Sequence, residues 1–424
     1  MLKNIKLPKS RKLYYKSKRC LICGSTKLTK YLSLGRAAPA NSYVTKEQLE
    51  KKEFKAPLEV YFCHNCNLAQ LLHIVDRSYI FSDYAYFSST SPMLVKHFED
   101  YAQEVFTRFP NQAKQLVVDI GSNDGILLKP LKKLGAKVLG IDPAKNIAKI
   151  ANEHGIDTIA DFFGKTKVKN LIKKYGKAGI ITSNNTLAHT DTLHDIFEGV
   201  KELLDNKGVF VFEVQYLLDL LTHNEFDNTY HEHICFHAVS PLQILLKMHG
   251  MEMIDVIHTN THGGAIIVFA SHLQSQLPID KAVNEFMQKE KKFGLDKLST
   301  YKKFAERPPL VKKELIKMLL DLRKKGKTIV AYGASAKATT LLQYCNIGSD
   351  LIDYIVDDAP SKQGKFTPGT HIPIVSAETL KEKKPDYIVI TAWNYAKNIM
   401  EVKEKWFKES GGKFIIPIPE PKIV

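Results

Sequence analysis

Three groups of residues in this 424-residue chain have the types and spacing to do chemistry. The first is Cys20/Cys23 and Cys63/Cys66, two C-x2-C pairs. A thiolate pair at that spacing chelates one ion from a tight turn, and two pairs supply the tetrahedral all-sulfur set that Zn2+ prefers. Four thiolates leave no coordination position for water, so such a centre is structural and not catalytic. His64 and His73 lie nearby and read as surface histidines. The second group is LVVDIGSNDGILL, which puts Asp119 at a strand end and Gly121, Asn123 and Gly125 in a turn before a helix. Glycines let such a turn bend sharply and approach a ligand closely. The nicotinamide pattern G-x-G-x-x-G fails, because Asn123 and Ile126 stand where glycines belong. The third group is Tyr230-His231-Glu232-His233. Histidine titrates near neutral pH and a carboxylate can orient it, so the cluster suits general acid–base work. It lacks the i, i+4 histidine spacing of a helical zinc protease.

The elements that must position these groups follow from apolar rhythm. Residues 93–109 carry apolar side chains at helical spacing, and a shorter helical pattern lies near Val44–Lys52. From Leu116 the runs LVVDI, KVLGID, GIITSN and GVFVFEV alternate with helical stretches such as Ile126–Leu134 and Ala144–His154. That alternation predicts a parallel sheet covered on both faces. Residues 276–325 read as helical and basic, broken at Pro308-Pro309. TIVAYGA, a helix over Lys337–Tyr344, LIDYIVDD and DYIVITA then repeat the alternation. The expected fold class is α/β: a basic tail and four-cysteine module over 1–78, a first α/β domain over 79–275, and a helical connector with a second Rossmann-like domain over 276–424.

In such sheets ligands bind beyond the carboxyl ends of the strands. KVLGIDPA ends in Asp142, 21 residues after Gly121, where an acid suits two ribose hydroxyls. Asp161 and Phe162 follow the apolar run Thr158–Ala160, a pattern that fits an acid on an adenine amine beside an aromatic wall. Asn184 closes another strand. In the second α/β domain the turn holds one glycine, Gly333. Its backbone N–H groups, Ser335 and Lys337 suit a diphosphate, or the domain serves packing alone. Trp393 and Asn394 either face the same cleft or cap it.

Lys plus Arg number 61 against 45 Asp plus Glu, a net charge of +16, and eight of the basic residues fall in the first 20. Such an excess favours an acidic partner. Apolar residues at 44% and charged residues at 25% are ordinary for a globular chain and exclude wholesale disorder. The basic N-terminus lacks the apolar core of a secretory signal, and no run approaches the length of a membrane span. A cytoplasmic location without membrane contact is the default expectation, and paired cysteines in that setting read as metal ligands.

The turn D-x-G-x-N-x-G resembles the D/E-x-G-x-G-x-G element of class I S-adenosylmethionine (SAM) methyltransferases. Over nearly its whole length the chain resembles the C-methyltransferases of nucleotide-linked deoxy and keto sugars. The motifs that carry this are the cysteine module, YAYFSSTSP (84–92), VDIGSNDG, SNNTLAH (183–189), FEVQY (212–216), YHEH, THGG (261–264) and YGASAKATTLL (332–342). The resemblance implies a zinc-binding domain, a SAM domain and a second Rossmann-like domain. It implies that a base removes a proton beside a ketone and that the enolate carbon takes the SAM methyl. His233 is then the base, with Glu232 and Tyr230 orienting it or steadying the enolate. Tyr84, Tyr86 and His189 line the sugar pocket, with either tyrosine able to face inward. Asp119, Gly121, Asn123, Gly125, Asp142, Asp161, Phe162 and Asn184 surround SAM. Cys235 and His237 depart from the family's more aromatic continuation, which leaves the sugar's identity open. The expected partner is a nucleotide-linked sugar and not nucleic acid. The alternative is a zinc-ribbon, RNA-binding methyltransferase, which needs no C–H base.

Overall fold

The computed structural model describes residues 13–81 and 87–424. Near the N-terminus Leu28–Ala37 and Ala56–Cys63 pair antiparallel, and Ala69–Leu71 adds a third strand. The fourth strand, Cys235–Phe236, comes from just beyond the Y-H-E-H cluster and pairs with Gln70 and Ala69. Backbone bonds from Gly24 N–H to Cys20 O (3.1 Å) and from Asn67 N–H to Cys63 O (2.9 Å) close the two cysteine turns. Only a 3-10 turn, Lys46–Gln48, forms where a longer helix was expected. The reason is that Val44 is held extended in a β-bridge with Phe366.

The central sheet has seven strands in the order Met251–Thr259, Ala265–His272, Leu204–Gln215, Ala178–Asn184, Leu116–Ile120, Lys137–Ile141, Thr158–Ile159. Its middle strands are parallel, while Ala265–His272 runs antiparallel to both its neighbours. The β-branched runs fill its interior: Val117, Val118, Ile180, Ile181 and Val211 are fully buried. The helix after the glycine turn starts at Leu128, two residues later than expected, because Gly125 N–H bonds back to Ser122 O and prolongs the turn.

Helices Lys281–Phe293, Leu298–Ala305 and Arg307–Lys324 connect to the last unit. Tyr301 is fully buried, its ring 4.8 Å from Phe62 and 5.0 Å from Tyr31, so the connector packs on the cysteine module. Burial of such a ring contributes roughly 2 kcal/mol. Pro308 and Pro309 do not break a helix; they lie in the first turn of Arg307–Lys324, where a missing N–H costs nothing. The final sheet has six strands, ordered Ile374–Val375, Ile355–Val356, Ile329–Tyr332, Tyr387–Ile390, Lys413–Ile416, Lys422–Ile423, all parallel except the last. Among the described residues no helix is long and apolar enough to cross a membrane.

Candidate active site

Two cavities open at the carboxyl end of the central sheet and share Ser88, Asn184, Asn185 and His189. The first is built on the glycine turn. A Cβ on Gly121 would lie 2.1 Å from Thr186 Oγ1, and its φ of 75° is one that glycine adopts freely. Asn123 also takes a positive φ, 48°, which asparagine tolerates where the related motif has glycine. Asp142 receives the Asn123 N–H at one oxygen and the Ala144 N–H at the other, both at 2.9 Å. Burial raises its carboxyl above the usual range, and those two donors oppose the rise. Each oxygen keeps a further lone pair for a ribose hydroxyl. Ile120, Ile141, Phe162 and Phe163 give the cavity apolar walls. Asn184 is at the junction with both carboxamide atoms buried and, among the described residues, no partner within hydrogen-bond distance. A buried amide in that state calls for a ligand's polar groups. The donor set and walls therefore fit an adenosyl group with an amino-acid tail.

Gly121, Asn123, Asp142, Phe162 and Asn184 line this cavity, whereas Asp119, Gly125 and Asp161 do not. Asp119 points into the sheet, accepts from Thr182 Oγ1 at 2.7 Å, and is pushed up to about 7 by burial. Gly125 lies behind the turn against Ile156. Asp161 is exposed and paired with Lys167, which lowers its carboxyl. Arg77, at the end of the cysteine module, covers Phe162 with its guanidinium 4.4 Å from the ring centre.

The second cavity runs from this junction to the C-terminal sheet. Tyr230 and His233 line it together. His233 Nδ1 is 2.9 Å from the Asn228 carbonyl, which can only accept, so Nδ1 carries the hydrogen. Nε2 is then the basic atom, and it accepts from the Tyr230 hydroxyl at 2.7 Å. His189 lies with its ring 5.1 Å from that of His233, and burial pushes it down to about 4, so it is neutral at pH 7. Glu232 is buried and takes the Asn41 carboxamide on both oxygens. His231 is also buried, with Nε2 3.2 Å from the Ala56 carbonyl, tying the cluster to the cysteine module. Opposite stand Ser335 and Lys337. Ser335 caps the helix Ala336–Cys345 through Ala338 N–H. Lys337 is 3.1 Å from Glu225 and lies over the Trp393 ring. Asn394 faces this cavity; Trp393 instead donates to the buried Asp227 at 2.7 Å. Tyr84 and Tyr86 lie outside the described residues.

Asn41, Tyr43, Arg77 and Lys362 line the cavities without having stood out in the sequence. No local motif marks them, since each acts across a large sequence separation.

The four cysteine sulfurs lie within 4.8 Å of one another, with Cys20–Cys66 and Cys23–Cys63 at 3.5 Å. Sulfurs about 2.3 Å from one tetrahedral ion are about 3.8 Å apart, so the group fits zinc. Burial pushes the Cys63 thiol up, and a bound dication would favour the thiolates. His64 is exposed and bonded to Thr29; His73 is buried, 3.5 Å from Glu59, and is not the surface side chain expected.

Fold and cavity together define a class I SAM-dependent methyltransferase with an N-terminal zinc module. Residues 20–81 match a family described as "Putative zinc binding domain", residues 94–256 a "Methyltransferase domain", and residues 260–419 a "C-methyltransferase C-terminal domain". C-methyltransferase NovU of Streptomyces niveus is 34% identical over 405 residues, which cover 96% of each chain. A ubiquinone biosynthesis O-methyltransferase of Colwellia psychrerythraea is 28% identical over 159 residues, 34% of this chain and 64% of that protein. Magnesium protoporphyrin IX methyltransferase from Synechocystis, solved with bound SAH, aligns with a TM-score of 0.34 and 16% identity, covering 42% of this chain and 83% of that one. The chain belongs to the SAM-dependent C-methyltransferase family that includes NovU. It is an enzyme with SAM as methyl donor, zinc in its four-cysteine cluster, and a small molecule as methyl acceptor.

Proposed function

We propose that the acceptor is a nucleotide-diphosphate-linked keto sugar and that methylation proceeds through an enolate. The observation that carries this is the second cavity, which an imidazole with a defined basic atom and two lysines line together. His233 Nε2 is the atom that takes the proton from the carbon beside the ketone, leaving an imidazolium with both nitrogens protonated. The Asn228 carbonyl then steadies the Nδ1–H that carries part of the charge. Tyr230, released from Nε2, turns its hydroxyl to the enolate oxygen, and neutral His189 supports the same charge without adding a competing cation. Lys337 and Lys362 attract the diphosphate, and both are already held by carboxylates, Glu225 and Asp357, so they meet it in fixed positions. Bound SAM supplies an electrophilic methyl to the enolate carbon; Asp142, Asn184 and Phe162 are the side chains to hold it.

The test is incubation with SAM and a panel of nucleotide-linked keto sugars. A mass gain of one methylene on a carbon next to the ketone is expected. If no keto sugar in the panel is methylated while RNA binds tightly at physiological salt, the RNA-binding alternative replaces this reading.

A further inference from the structure

Asn41 belongs to the zinc module, in the connection between its first two long strands, yet its side chain lines the second cavity. Its Nδ2 donates to both oxygens of the buried Glu232, at 2.8 and 2.9 Å. A carboxylate only accepts hydrogen bonds, so this contact decides which way round the amide sits. Nitrogen faces Glu232, and the carbonyl Oδ1 is the end presented elsewhere. The Tyr43 hydroxyl reaches Oδ1 only at 3.5 Å, because its short bond goes to the Ala334 carbonyl. The loop that carries Asn41 is bolted to the C-terminal unit. Thr339 Oγ1 donates to Ala40 O at 3.0 Å, and Gln343 bonds both the N–H and the carbonyl of Ala38. Oδ1 is therefore a stationary acceptor on a residue that lines the same cavity as His233 and Tyr230.

We propose that Asn41 determines substrate specificity: its Oδ1 accepts a hydrogen bond from a hydroxyl or amino group of the bound sugar, which makes the zinc module one wall of the sugar site. This rests on the keto-sugar reading above. Asn41 has no part in proton removal. It selects sugars that carry a donor near the reacting carbon, because a sugar without one leaves a desolvated acceptor unpaired.

The experiment compares two nucleoside-diphosphate keto-hexoses, one with a hydroxyl near the reacting carbon and one with hydrogen there. Wild type prefers the first. Asn41→Ala should raise KM for the hydroxylated sugar about tenfold, while kcat and the KM of the deoxy sugar change less than about threefold. Asn41→Asp should set two carboxylates against each other, so its KM for the hydroxylated sugar should fall as the pH is lowered. Zinc content and SAH affinity report that each variant is folded. Equal KM changes for both sugars, or for neither, would overturn the proposal while leaving the keto-sugar reading intact. Where Asn41→Ala does not fold, Glu232→Gln serves instead. A glutamine amide can donate as well as accept, so Asn41 is free to turn and the preference between the two sugars should shrink. A preference kept at the wild-type ratio would refute it. Failure of the wild type to methylate either sugar would count against the keto-sugar reading itself.

Discussion

The two sheets carry the same device at the carboxyl ends of their parallel strands and put it to different use. In each, a glycine ends the first strand and lets a neighbouring loop come close. Gly121 faces Thr186, and a Cβ on Gly333 would lie 2.6 Å from that of Ala392. In each, the next strand ends in an acid that accepts the N–H two residues on: Asp142 from Ala144, Asp357 from Ala359, both at 2.9 Å. The difference lies at the second oxygen. Asp142 takes the Asn123 backbone N–H, which leaves it acceptor capacity towards the cavity. Asp357 takes Lys362 at 3.0 Å. One turn therefore offers a carboxylate to a diol, whereas the other offers an ammonium to an anion. On the proposed reading, a shared scaffold separates a nucleoside site from a phosphate-attracting one by changing a single partner of one acid.

Gly121→Ala should have the largest effect on either turn. The added methyl overlaps Thr186 and the φ is strained, so SAH affinity should fall at least about 100-fold, as calorimetry would measure. Gly333→Ala should lower the melting temperature and leave a folded central sheet that still binds SAH. The acids sharpen the contrast. Asp142→Asn should weaken SAH about 10–100-fold by removing charge-assisted bonds, while Asp357→Asn should leave SAH within about twofold. Comparable losses in both variants would mean the two turns do not differ as described.

A smaller effect concerns pH. His189, His231 and His237 are each pushed down to about 4 by burial. The unfolded chain takes up their protons below about pH 6.5 and the native chain resists until about 4. Their contribution is therefore complete above pH 6.5 and declines as pH falls from 6.5 to 4. At pH 5 each lowers stability by about 2 kcal/mol at most, readable from denaturant midpoints across that range. The smallest effect is expected of Asp161→Asn. Because Lys167 engages that carboxylate on the surface, SAH affinity should change by less than about twofold.

The legible parts of the molecule were the local ones. The cysteine spacing, the glycine turn, Asp142 and the Y-H-E-H run each lie within a few residues, where spacing alone constrains geometry. Asp161 misled because strand-end position does not say which way a side chain leaves, and Lys167, six residues along the chain, captured it. Asp119 occupies a strand end too, yet the alternation of the strand turns it inward to Thr182. Asn41 and Lys362 were illegible for another reason. They reach the cavity only once Cys235–Phe236 has joined the zinc-module sheet and the loop before Val44 has docked on the C-terminal helix, contacts that no local pattern encodes. The late helix start at Leu128 and the short turn at Lys46–Gln48 likewise follow from tertiary bonds overriding helical periodicity.

On the proposed mechanism one imidazole, His233, takes the proton that opens the acceptor carbon to the methyl. The most direct measurement is deuterium entry beside the ketone in heavy water with SAH in place of SAM, so that exchange is seen without transfer. Wild type should exchange, and His233→Ala should lose exchange by about 100-fold or more while binding SAH as before. Exchange retained in that variant would remove His233 as the base.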